Sequence, residues 1–199
     1  MALERYDRNM HFNDEVINNM EERIKVFNML VKGNIVDIGC GCGYSGELIN
    51  NNNSVIRYLG LDYDKDTIKE NIMKFGSKKV EFKHFDINKD VLDFDFNIDV
   101  FLCIEFMEHI EKNVQISLLN KIKDVFDKQG YGRFVGTTPM VQKEGKSSVN
   151  EYHLYEHTFE SFNVMVKNIF PRKENYKIFC ERRYNWGHYI FFDIRKGVK

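Results

Sequence analysis

The chain has 199 residues, enough for one domain of ordinary size, and its 43% hydrophobic content is sufficient for a core. Lys+Arg total 29 against 30 Asp+Glu, so the net charge of −1 lacks the basic excess of a broad nucleic-acid binder. Apolar runs are strand-length, far short of the ~20 residues of a membrane span; the charged start has no signal core, and four cysteines make no disulfide framework, so a cytoplasmic protein with reduced thiols is expected.

Asn13 to Val31 carries Val16, Ile17, Met20, Ile24, Phe27 and Leu30 at helical spacing, with Asn13 or Asp14 able to cap it. Short apolar runs then alternate with amphipathic stretches. Ile35–Ile38 predicts a strand, Tyr44–Ile49 a helix, Val55–Leu61 a strand and Lys65–Phe75 a helix. Val80–Phe85 alternates like a strand, and Ile98–Ile104 is apolar throughout, as in a strand buried on both faces. A helix over Asn113–Phe126, a strand over Gly132–Thr137 and a helix over Phe159–Phe170 follow. Tyr176–Cys180 and His188–Ile194, joined around Asn185-Trp186-Gly187, predict a terminal antiparallel hairpin. The expected fold class is α/β, a Rossmann-like open sheet, mostly parallel, with helices on both faces. Ligands of such sheets sit at the carboxyl ends of the strands.

Chemistry-bearing residues gather at those ends. Asp37 and Ile38 precede Gly39-Cys40-Gly41-Cys42-Gly43, whose glycines permit tight turning and close approach to a ligand. The spacing is G-x-G-x-G, not the G-x-G-x-x-G of dinucleotide sites. Asp62 ends the next strand, where a carboxylate can accept both hydroxyls of a ribose. Tyr63 follows it, and Asp86-Ile87 ends the third strand. After the fourth come Glu105, Glu108 and His109, which share a face if the turn is helical. Two carboxylates and an imidazole can bind a divalent cation, or the imidazole can act as a base without one. His153 lies after the fifth strand, beside the same cleft; His157 reads as a surface or cap residue. Lys143–Asn150 reads as a mobile substrate loop, and Arg182-Arg183 as a solvated pair within reach of a phosphate.

This constellation resembles the class I S-adenosylmethionine-dependent methyltransferases over nearly the whole chain. The resemblance implies a single domain, 1–199, with 1–32 as an N-terminal lid and helix and 33–199 as the cofactor-binding and catalytic core. It implies S-adenosylmethionine held by Asp37, Gly39, Cys40, Gly41 and Gly43 at its methionine end, by Asp62 and Tyr63 at the ribose, by Asp86 and the Ile87 N–H at the adenine, and by Glu105. The Glu-x-x-Glu-His stretch with the later His153 is similar to two O-methylating branches, the ubiquinone-biosynthesis enzymes and the small-RNA 3′-terminal ribose 2′-O-methyltransferases. The RNA branch implies a cation, Mg²⁺ or another divalent, on Glu105, Glu108, His109 and His153; the upstream Phe-x-Pro-Pro of that branch has no counterpart here. His109, His153 and Glu105 are the expected catalytic residues. Ile104-Glu105-Phe106-Met107 stands where amino-methylating relatives carry Asn-Pro-Pro-Tyr, which favours an oxygen acceptor. The expected function is O-methylation of a small hydroxylated acceptor such as a sugar, nucleotide sugar or catechol. RNA ribose methylation and a non-catalytic cofactor-binding subunit are the alternatives.

Overall fold

Successive side chains of a strand point to opposite faces, and the central strands here are apolar on both. In the computed structural model, which describes residues 24–148, 150–183 and 188–197, the strands form one seven-stranded sheet. Its strands are β1 (Gly33–Ile38), β2 (Val55–Asp62), β3 (Val80–His84), β4 (Val100–Ile104), β5 (Gly132–Pro139), β6 (Tyr176–Arg183) and β7 (Tyr189–Lys196), in the order β3-β2-β1-β4-β5-β7-β6. The first five are parallel; β7 runs antiparallel to both β5 and β6.

Helices cover both faces. Val36, Ile38, Phe101 and Cys103 pack with Leu118, Leu119, Ile122 and Phe126 of α3 (Lys112–Gln129) and with Phe162 and Val166 of α4 (Phe159–Ile169). Ile35, Val100 and Leu102 face the other way. There they meet Phe27 in a helical stretch over 24–30, Ile49 of α1 (Tyr44–Ile49) and Ile68 of α2 (Lys65–Phe75). Asp64 caps α2 by accepting from Asp66 N and Thr67 N, and Thr158 caps α4 by accepting from Ser161 N, so the loops deliver the chain into these helices at fixed angles.

The strand order reverses between β1 and β4, which opens a crevice at their carboxyl ends. The predicted α/β class and terminal antiparallel pair are both present. The pair is longer than expected, because ladder hydrogen bonds carry β6 through the polar Glu181–Arg183 and β7 through Lys196. The hairpin turn at 184–187 and the part of the predicted N-terminal helix before residue 24 lie outside the described residues.

Candidate active site

The loop after β1 is built for close approach. Gly39, Gly41 and Gly43 have φ of 73°, 50° and 80°, in the left-handed region. A Cβ on Gly39 would overlap the Phe106 ring, so a glycine there lets the β4 loop lie against the β1 loop. Gly39 N and Cys40 N donate to Leu61 O (2.9 and 3.0 Å), and Gly41 N donates to Asp62 Oδ2 (3.0 Å). Asp62 Oδ1 also accepts from Asp64 N (2.9 Å), so the carboxylate is oriented by two backbone N–H groups at the mouth of the crevice. Asp37 lies beneath the loop, buried, its Oδ2 accepting from Tyr58 Oη–H (2.6 Å). Burial pushes its carboxyl up to about 6, against the opposing hydrogen bonds from Tyr58 and Ser45. Tyr63 is exposed beside His84. Asp86 starts a turn, accepting from Asn88 N (3.0 Å) and pairing with Lys89 (2.8 Å), which lowers its pKa. Lys121 of α3 donates to Ile87 O and Asp90 O (2.8 and 3.0 Å) and ties this turn down.

Beyond β4 the chain turns sharply at Glu105, a non-glycine residue with φ of 52°. A left-handed backbone at a non-glycine position costs of order 1–3 kcal/mol and persists where surrounding contacts impose it; here Glu105 N donates to Thr137 O (3.0 Å). The turn leads into a 3-10 segment, Met107–His109. Glu108, His109 and His153 each offer a ligand atom, all within 4.8 Å of one another. The two imidazoles meet edge-on, with centroids 5.0 Å apart. His153 Nδ1 contacts Glu156 Oε1 (2.6 Å) and His109 Nδ1 contacts Tyr152 O (3.2 Å). A carboxylate and a carbonyl only accept, so both Nδ1 atoms carry the hydrogen and Nε2 is the basic nitrogen of each neutral ring. Glu108 is buried, with Thr138 Oγ1–H donating to its Oε2 (3.1 Å). Burial, then the nearby Glu105, push its carboxyl well above the usual range. Such a carboxyl is ionised most readily beside a cation.

The donor set fits a divalent cation. Ligand distances of 2.0–2.2 Å put donors on one ion at most about 4.4 Å apart, so the cluster needs only a small side-chain adjustment. The Nδ1–H bonds to Glu156 and Tyr152 O are the outer contacts that orient metal-binding histidines elsewhere. Glu105, the fourth predicted ligand, stands outside this set of three.

Residues 36–131, a little under half of the chain, match the family model for a methyltransferase domain. No curated protein matches this chain in sequence. Solved structures share its fold. An S-adenosylmethionine-dependent methyltransferase from Mesorhizobium loti is 14% identical over 89% of this chain and 98% of that one, with a TM-score of 0.67. The small RNA methyltransferase HEN1 is 18% identical over all of this chain and 27% of its own, with a TM-score of 0.69. A Burkholderia thailandensis 1,6-didemethyltoxoflavin-N1-methyltransferase, seen with S-adenosylhomocysteine, is 16% identical over 92% and 78%, with a TM-score of 0.66. No helix among the described residues is long and apolar enough to cross a membrane.

The structure corrects one expected position and adds several contacts around the cluster. His157 is neither a surface residue nor a cap: it is buried, its Nε2 bonded to Gln115 Oε1 (2.6 Å) and its Nδ1 to Ser161 Oγ (3.1 Å). Gly145, within the expected substrate loop, exchanges paired backbone bonds with Glu156 (2.8 and 3.1 Å). Arg182 is engaged by Glu160 and lies over the Phe159 ring. Tyr58, Gln115 and Thr138, which brace the site, carry no signal of their own in the sequence. Glu156, which also braces it, is the Glu of the His-x-x-Glu-x-Thr stretch that begins at His153.

Proposed function

We propose that the chain is an S-adenosylmethionine-dependent O-methyltransferase acting on a small hydroxylated acceptor with neighbouring oxygens, such as a sugar, nucleotide sugar or catechol. The observation that carries this reading is the convergence of Glu108, His109 and His153 next to the glycine loop, with both imidazoles set as Nε2 bases. The cofactor, when bound, supplies a methyl already activated on a sulfonium. The fit for it is a ribose-competent Asp62 carboxylate beside a loop in which Gly41 faces open space. Asp37, Gly39, Cys40, Gly41, Gly43, Tyr63, Asp86, Ile87 and Glu105 are its proposed further contacts. The acceptor hydroxyl must lose a proton as the methyl arrives, and His109 or His153 can take it at Nε2. Alternatively Glu108, His109 and His153, with Glu105 adjoining, would give those donor atoms to a divalent cation, whose Lewis acidity would lower the hydroxyl's pKa so that water can take the proton. Thr138, Tyr152 and Glu156 hold these side chains in register, so that the acceptor meets a preset geometry.

The likeness to the small RNA methyltransferase, which spans this whole chain, favours a second reading in which the neighbouring oxygens belong to the terminal ribose of an RNA. Turnover assays with S-adenosylmethionine against nucleotide sugars, catechols and short RNAs with a free 3′ diol separate the two. Excess chelator is expected to abolish turnover while S-adenosylhomocysteine binding, measured by calorimetry, stays within about twofold. Full turnover in chelator would remove the cation and leave a histidine base.

A further inference from the structure

Gln115 lies in the middle of the site's supporting structure but touches none of the proposed ligands. It projects from the first turns of α3 and is completely buried. A buried amide is costly unless its donors and acceptor are used. Its Nε2 lies 2.8 Å from Met107 O, 3.1 Å from Ile110 O and 3.1 Å from Tyr155 O. Three carbonyls around one amide terminus identify that terminus as the nitrogen. Oε1 therefore faces His157, whose Nε2 must donate to it (2.6 Å). His157 Nδ1 then lies 3.1 Å from Ser161 Oγ, whose hydroxyl also lies 3.2 Å from Thr158 O.

The carbonyls that Gln115 holds are not scattered. Met107 and Ile110 bracket the turn that carries Glu108 and His109. Tyr155 and His157 belong to the segment that carries His153 and Glu156. Glu108 O completes the join by accepting from Leu154 N and Tyr155 N (2.7 and 3.2 Å). One side chain thus fastens the two segments whose separation sets the distance between His109 and His153.

We propose that Gln115, locked by His157, is a positioning residue that sets the geometry of the Glu108–His109–His153 cluster. The inference deepens the metal-assisted reading and rests on it for its metal readout. Gln115→Met keeps the length of the side chain and removes its hydrogen bonds. His157→Phe removes only the donor to Oε1, and His157→Gln restores a donor from a similar position.

The full chain is used throughout. Mn²⁺ affinity is read by electron paramagnetic resonance, the His109 and His153 ring tautomers by long-range ¹H–¹⁵N spectra, and folding by S-adenosylhomocysteine calorimetry. Gln115→Met and His157→Phe are expected to weaken Mn²⁺ 10–100-fold, as loss of outer-shell support does elsewhere. Both should shift the two histidines toward mixed tautomers while cofactor affinity stays within about twofold; His157→Gln should recover most of the Mn²⁺ affinity. Wild-type Mn²⁺ affinity and histidine tautomers retained in both disruptive variants would overturn the proposal. So would losses matched by equal losses of cofactor affinity, which mark a general folding defect. If the wild type binds no Mn²⁺, the metal reading fails, and the tautomer spectra alone decide whether Gln115 positions the histidines.

Discussion

Asp37 pays for its place beneath the glycine loop. Its carboxyl is buried, and its pKa of about 6 lies above the ordinary 3.8. A folded-state pKa raised above the unfolded one means that the native state holds the proton more tightly. Folding stability is therefore greatest below about pH 4 as far as this group is concerned, and it falls as pH rises through 6. Asp37→Asn keeps an oxygen for the Tyr58 hydroxyl and removes the desolvated charge. It is expected to raise stability at pH 7 by about 1–3 kcal/mol, with most of the gain gone at pH 4. Urea denaturation at the two pH values checks this; equal gains at both would show that the charge is not what costs. Asp62 is the opposite case, a half-exposed carboxylate oriented outward by Gly41 N and Asp64 N. Under the proposed function, Asp62→Ala should weaken S-adenosylhomocysteine binding by about 1.5–3 kcal/mol, since charge-assisted bonds to the ribose are lost. Unchanged calorimetric affinity would remove Asp62 from the cofactor site.

Secondary elements are joined by charge as well as by apolar contact, and the most buried such pair lies between β5 and β7. Arg133 on β5 donates through Nε and Nη2 to the two oxygens of Asp193 on β7 (2.9 and 2.8 Å) and through Nη1 to Leu30 O in the helical stretch over 24–30. Burial raises the Asp193 pKa, but Arg195 and Arg133 outweigh it and hold the carboxyl below its usual range. The pair links the antiparallel edge of the sheet to the helix that precedes β1. Asp193→Ala leaves a guanidinium covered and unpaired, for an expected loss of about 3–5 kcal/mol, whereas replacing both residues by leucine should cost much less. Chemical denaturation of the singles and the double decides: a double as damaging as the sum of the singles would mean that the two residues do not act as a pair. Because the folded pKa is depressed, this stabilisation is present at neutral pH and is lost as pH falls through the carboxylate range. Neither partner was legible beforehand. Charged residues 60 apart in the chain carry no periodic signal, while the apolar alternation of β1, β4 and β5 does.

At the scale of the molecule, the alternation of apolar runs and amphipathic stretches was enough to read the doubly covered sheet, because burial on both faces leaves no other pattern for a strand. It was enough, too, to bring Glu108, His109 and His153 to one crevice, since all three follow adjacent strands β4 and β5. What it could not carry was the left-handed turn at Glu105 or the burial of Gln115 and His157. Both depend on partners that only the folded chain brings within reach, 42 residues apart in the second case. The same balance of charge that argued against a broad nucleic-acid binder now bears on the acceptor. With 29 basic and 30 acidic residues, the molecule as a whole has no field that would draw in a polyanion. A small neutral acceptor should therefore show a KM that changes less than about twofold between 50 and 200 mM salt. An RNA acceptor would have to be gripped through phosphates. With only three of them, the single-strand slope of about −0.7 per phosphate predicts a loss of affinity of about 20-fold over the same fourfold rise in salt. Measuring KM against salt for each acceptor that turns over separates the two readings, and a steep dependence for the best acceptor would favour the ribose of an RNA over a free metabolite.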